Sequence, residues 1–256
     1  VQRGLIMNAV LILLIAACAA GEQAATTPEE APTSGADKQF LLTYPNLANP
    51  GGEVLFENER VVVQRFLVGP GEWEGIHSHP GNQLYVHVKG GQWSGIIGGG
   101  EPTLSRSAAE DGSMGWMDPI PLSKGHESGN TGDTPIDLIW VTLKEGAPAS
   151  PDVDHPGQIY PDIPLELLLE NDRMIVQRVQ VDPGEWEGIH SHPGNQIYIH
   201  IEGGVWSERR GGEQFDPSPF SETGSVGWKD AVDLSVGHES GNTGDTTIDL
   251  IWVTLK

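Results

Sequence analysis

Apolar and polar positions alternate with a period of two along most of the chain. "RVVVQRFLV" (60–68), "QLYVHVKG" (83–90) and "IDLIWVTL" (136–143) are short, rich in β-branched and aromatic residues, and bounded by Gly, Pro, Asn or Asp. Such runs predict strands, because successive side chains of a strand leave on opposite faces. No window keeps a helical stripe for more than about three turns. The pattern then repeats. "PGEWEGIHSHPGNQ" occurs at Pro70–Gln83 and again at Pro183–Gln196, "GHESGNTGDT" at 125–134 and 237–246, and "IDLIWVTLK" at 136–144 and 248–256. Between these blocks the copies have drifted, "SGIIGGGEPTLSRSAAED" facing "SERRGGEQFDPSPFSET". Two domains follow, at 52–144 and 165–256, joined by the Pro-rich linker 145–164. About eight short strands in each predict a closed barrel or sandwich, which leaves few free edges.

Composition narrows the partners. Thirty-six acidic against 14 basic residues give a net charge of −22, spread over both repeats. Such a surface repels nucleic acid phosphates and anionic lipid heads, so neither is an expected partner of the folded part. The single cysteine, Cys18, ends the apolar run "LIMNAVLILLIAAC". That run resembles a bacterial lipoprotein signal over residues 1–17, which implies cleavage and acylation of Cys18 with chains such as palmitate. An ordinary signal peptide or a short anchor helix is the plainer alternative. Residues 18–51 lack periodicity and read as a disordered tether. The expectation is an exported chain at the bacterial cell envelope, on the periplasmic face of the outer membrane in a Gram-negative cell. Its contact with the membrane would be through the lipid anchor alone.

Eight of the nine histidines recur as four pairs: His77/His190, His79/His192, His87/His200 and His126/His238. On a strand, i and i+2 share a face, so His77 and His79 can aim two imidazoles at one point. Gln83 follows after the turn at Pro80-Gly81, and His126 would arrive from a strand far along the sequence. Three imidazoles and an amide oxygen make a site for a divalent transition metal. If His77 faces inward, strand parity turns Glu74 outward. His87 shares parity with Gln83 and would either orient a ligand or pack as an ordinary buried histidine.

These residues resemble the two motifs of the cupin superfamily. Gly71, His77, His79, Gln83 and Gly90 fit the first, as do Gly184, His190, His192, Gln196 and Gly203. Gly115, Pro121, His126 and Asn130 fit the second, with Ser123 in place of glycine. In the second repeat Gly227, His238 and Asn242 fit, with Asp233 and Ser235 as departures. The resemblance implies an all-β bicupin, two tandem jelly-roll barrels. It also implies one divalent metal (Fe, Mn, Ni or Zn) per barrel, held by His77, His79, Gln83 and His126 in the first and His190, His192, Gln196 and His238 in the second.

Gln83 and Gln196 stand where the family usually has a glutamate. An amide leaves a divalent centre at +2, a stronger Lewis acid that stabilises trivalent iron less well. The alternative is that the glutamine does not ligate and hydrogen-bonds a metal-bound water instead. Three functions stay open: a metal-dependent enzyme of dioxygenase, isomerase, lyase or cyclase type acting on a small organic substrate; a non-catalytic protein binding a metal or small ligand; and a scaffold or homo-oligomer module.

Overall fold

The computed structural model describes residues 37–105, 107–144 and 157–256. Residues 1–36, including the expected signal peptide and Cys18, lie outside them, as does the linker segment 145–156. The first lobe has eight strands: β1 (Glu53–Glu57), β2 (Val61–Val68), β3 (Gln83–Lys89), β4 (Trp93–Ile97), β5 (Thr103–Leu104), β6 (Met114–Met117), β7 (His126–Asn130) and β8 (Ile136–Leu143). The second repeats them as β9 (Glu166–Glu170), β10 (Met174–Val181), β11 (Gln196–Glu202), β12 (Trp206–Arg210), β13 (Glu213–Gln214), β14 (Val226–Lys229), β15 (His238–Asn242) and β16 (Ile248–Leu255). Each lobe pairs a five-stranded sheet, in the order β1-β2-β8-β3-β6 or its counterpart β9-β10-β16-β11-β14, with a three-stranded sheet, β5-β4-β7 or β13-β12-β15. All the pairings are antiparallel. The fold is all-β, two jelly-roll barrels in tandem.

The five-stranded sheets are buried on both faces, which explains why "IDLIWVTL" is apolar at almost every position. All eight residues of β8, and all eight of β16, are buried. Along β8, Leu138 and Trp140 point into the barrel. Ile139, Val141 and Leu143 point away and pack on Ile251, Val253 and Leu255 of the other lobe. The largest apolar cluster therefore lies between the lobes. The contacts are reciprocal: the Arg65 guanidinium lies against Gly224 and that of Arg178 against Gly112, where a Cβ would come within 2.6 Å of the carbon. This is the arrangement of a two-fold dimer, built here within one chain.

The expected tether and linker both end sooner than composition suggests. Leu42 and Tyr44 are buried in the first lobe, Gln158 and Tyr160 in the second. Leu42 N–H donates to Gln64 Oε1 (2.8 Å) while Gln64 Nε2 donates back to Leu42 O (3.1 Å). Gln158 and Gln177 form the same pair, at 2.7 and 3.0 Å. These arms, "LTYPNL" and "QIYPDI", are too short and too rich in Pro, Asn and Asp for a period to show. A buried glutamine holds each one in place of a ladder of strand hydrogen bonds.

Candidate metal centre

The segment from Trp73 to His79 closes the barrel against β7. His77 N–H donates to His126 O (3.0 Å) and Glu74 N–H to Ser128 O (2.8 Å). His77, His79 and His126 thereby converge, their ligand nitrogens all within 4.8 Å of one another; His190, His192 and His238 do the same. Each ring of the first pair is oriented by its far nitrogen. His77 Nδ1–H donates to Gly75 O (2.8 Å) and His79 Nδ1–H to Gln83 Oε1 (2.9 Å). Both Nε2 atoms are then lone-pair acceptors, and they face each other at 3.0 Å. In the second lobe the corresponding distance is 3.1 Å.

Two neutral acceptors at that separation repel unless a cation lies between them. Protonating one ring is disfavoured: burial, foremost, holds His77 down at about 4 and His79 at about 3. Two nitrogens bound about 2.1 Å from one ion at right angles would lie about 3.0 Å apart. The donor set therefore fits a divalent metal.

Gln83 and Gln196 do not join the converging nitrogens as the motif suggests. Gln83 Oε1 is on the Nδ1 side of His79, away from Nε2, and Gln83 Nε2 donates to Thr142 Oγ1 (2.9 Å). Gln196 likewise takes His192 Nδ1–H (3.2 Å) and donates to Thr254 Oγ1 (3.0 Å). An amide has both a donor and an acceptor, so here it accepts from the ring and donates to the strand hydroxyl. The glutamines fix the tautomer and angle of His79 and His192.

Glu74 is the larger correction. It is buried, not outward, with Oε2 3.8 Å from His77 Nε2. Gly75 is the cause: at φ +79° it leaves the strand conformation, so alternation fails and the side chains of Glu74 and His77 come together. Any Cβ on Gly75 would come within 2.7 Å of Asn46. Glu187 repeats the arrangement, 3.7 Å from His190. Burial, opposed by hydrogen bonds from Tyr44 and Ser128, pushes the Glu74 carboxyl up to about 8; Glu187 rises to about 8 by burial against hydrogen bonds from Tyr160 and Ser240. Neither tyrosine was legible as part of a site, because both sit in the arms.

The two cavities differ. The first, about 260 Å³, is walled by Tyr85, Trp93, Met117, Leu138 and Trp140 around Glu74, His79 and His126. The second, about 400 Å³, keeps the aromatic walls but adds Glu208 and Lys229. His238 Nδ1–H donates to Glu208 Oε1 (2.7 Å), which also takes Arg210 Nε–H at 2.6 Å. The position equivalent to Glu208 in the first lobe is Gly95, which pairs with Ser128 as Glu208 pairs with Ser240. His87 and His200 are wall residues. Their Nε2 atoms accept from Trp93 Nε1 (2.9 Å) and Trp206 Nε1 (3.0 Å), and Ser113 and Ser225 hold the other nitrogen. Trp93 and Trp140 line the first cavity.

Paired antiparallel sheets and a triad drawn from the turn before β3 and the start of β7 give each lobe the barrel architecture and converging histidines that the two motifs led one to expect. Among solved structures, the chain resembles a cupin 2 conserved barrel domain protein from Leptotrichia buccalis, with a TM-score of 0.47 and 14% identity over 80% of this chain and 88% of that one. It also resembles AerE from Microcystis aeruginosa, at 0.48 and 14% over 85% and 99%. A salicylate 1,2-dioxygenase from Pseudaminobacter salicylatoxidans aligns at 0.43 and 16% over 81% and 74%. No family model and no curated protein matches the sequence.

Proposed function

We propose that each lobe is a metal-dependent catalytic site that moves a proton on a small organic substrate, as an isomerase, lyase or cyclase does. One observation carries this reading: two imidazole acceptors facing each other at 3.0 Å, with a buried carboxyl group beside them on the cavity wall. His77, His79 and His126 would hold the ion, with His190, His192 and His238 doing so in the second lobe. A divalent metal there supplies Lewis acidity toward a carbonyl, enol or carboxylate oxygen. Glu74 and Glu187 would exchange the proton, each hydrogen-bonded to a tyrosine that keeps the carboxyl in place. Trp140 and Trp252 exclude water from one side of each cavity. The lipobox-like run supports working at the cell envelope with Cys18 as the anchor, which mass measurement of the membrane-extracted chain would test.

Elemental analysis of anaerobically purified protein should find about two divalent ions per chain. Incubation in deuterium oxide with a panel of keto acids should then show exchange at the carbon next to the carbonyl. The Glu74→Gln, Glu187→Gln double variant should keep its metal and lose about 10²–10⁴-fold in rate. Bound metal with neither exchange nor turnover would favour the non-catalytic binding protein. Oxygen uptake without exchange would favour a dioxygenase.

A further inference from the structure

The side chains that surround the two triads are not the same, and one difference is a charge. β14 ends at Lys229 where β6 ends at Met117. Lys229 pairs with Gln196 across the strands as Met117 pairs with Gln83, so both project toward the barrel interior. Lys229 lines the second cavity together with Tyr198, Trp206, Leu250 and Trp252.

The ammonium has no carboxylate in direct contact, and Glu208, Glu187 and Asp230 attract it only from farther off. Glu208 already receives Arg210 and His238. Glu187 is hydrogen-bonded by Tyr160 and Ser240. Among the described residues, Lys229 forms no ion pair or hydrogen bond. Lys89, Lys144 and Lys256, by contrast, each hold a carboxylate at 2.6–2.9 Å. Burial disfavours the charge of Lys229 and pulls its pKa below the usual lysine value. In a chain with 36 acidic and 14 basic residues, a cation facing an aromatic-walled cavity without a hydrogen-bonding partner is a costly placement. An anion entering that cavity would relieve the cost.

We propose that Lys229 Nζ is the carboxylate anchor of the second lobe, which takes a small organic acid with an apolar body, and that the first lobe, with Met117 there, does not take one. A phosphate dianion is the poorer match, since such groups are usually gripped by several cations and the neighbouring Arg210 is tied to Glu208. The inference rests on the reading of the cavities as small-molecule sites, and it assigns the two lobes different substrates.

Calorimetric titration of the full chain with benzoate and with its neutral isostere benzamide tests it. Wild type should bind about one benzoate per chain, more tightly than benzamide. Lys229→Met, which installs the residue that β6 already carries, should weaken benzoate about tenfold or more and leave benzamide unchanged. Lys229→Arg should retain most of the preference, and Lys229→Gln is a second neutral variant should the methionine disturb folding. Metal content is measured on every sample. Lost benzoate binding with metal retained supports the anchor. Equal benzoate affinity in wild type and both neutral variants overturns it, as does a wild type that does not prefer benzoate to benzamide. Benzoate binding abolished by His190→Ala with His192→Ala yet untouched by Lys229→Met would mean that the ion, not the lysine, holds the carboxylate. If wild type holds no metal, the catalytic reading fails, while the benzoate comparison between wild type and variants still decides the anchor.

Discussion

The two lobes share their histidines and differ in what stands behind them. His126 and His238 occupy the same place, yet His238 donates to Glu208 while Gly95 leaves His126 with no carboxylate there. Met117 faces Lys229, and "SGII" on β4 faces "SERR" on β12. The arms, the buried glutamates and the glutamine clamps are alike in both. Duplication has thus held constant what orients the first two imidazoles of each triad and varied the support of the third and what a ligand would touch.

The largest expected effect is loss of an ion from one lobe alone. His190→Ala with His192→Ala should lower the metal content from about two per chain to about one, and His77→Ala with His79→Ala should do the same. A fall to zero in either would show the sites to be interdependent. Next comes the shared interface. Ile251→Asp puts a charge into the cluster between the lobes, where a buried unpaired carboxylate should cost about 3–5 kcal/mol. Both lobes should then unfold in one transition at lower urea. Two separate transitions would mean that the lobes are stable independently.

A subtler contrast concerns affinity. A carboxylate behind a ligating histidine raises its basicity, so the second lobe should hold metal more tightly than the first. Glu208→Gly should weaken that site about 10–100-fold in competition with a chelator and erase the difference between lobes. Equal affinity of the two wild-type sites would remove the contrast altogether.

The smallest effect is in the pH dependence of the metal-free chain. His77, His190 and His200 are held near 4 by burial, against 6.5 for an ordinary histidine. Between those values the unfolded chain takes up protons that the folded chain refuses, so stability falls as pH drops from about 6.5 to about 4. Glu74 and Glu187 act in the opposite sense. Their folded-state pKa near 8 means that stability is lost as pH rises from about 4.5 to about 8. Urea midpoints measured across pH should show His200→Gln flattening the acid limb and Glu74→Gln flattening the neutral one. Since His200 is not a metal site, its contribution should survive addition of metal.

The chain's local patterns determined a good deal. Period-two runs, the internal repeat and the i, i+2 histidines gave an all-β, two-barrel protein with His77, His79 and His126 on one site, because strand alternation is a local property. Leu42 and Tyr44 escaped notice because a short arm held by one glutamine has no period to detect. Glu74 was placed on the wrong face because a single residue, Gly75, interrupts the alternation that the inference depended on.

Other features belong to the tertiary structure alone. "IDLIWVTL" announces a strand buried on both sides, but nothing in the run says that its second face meets the other lobe. Glu208 lies in a stretch that the repeat had let drift and Lys229 is a single change from "GWMD" to "GWKD", so neither stands out from ordinary surface charge. Cross-strand register turned them inward, because a side chain's facing depends on which residue it pairs with. The sequence by itself set the periods and the chemistry available; the pairing of distant strands decided which groups share a cavity, since that is fixed by contacts across the fold and not by neighbours along the chain.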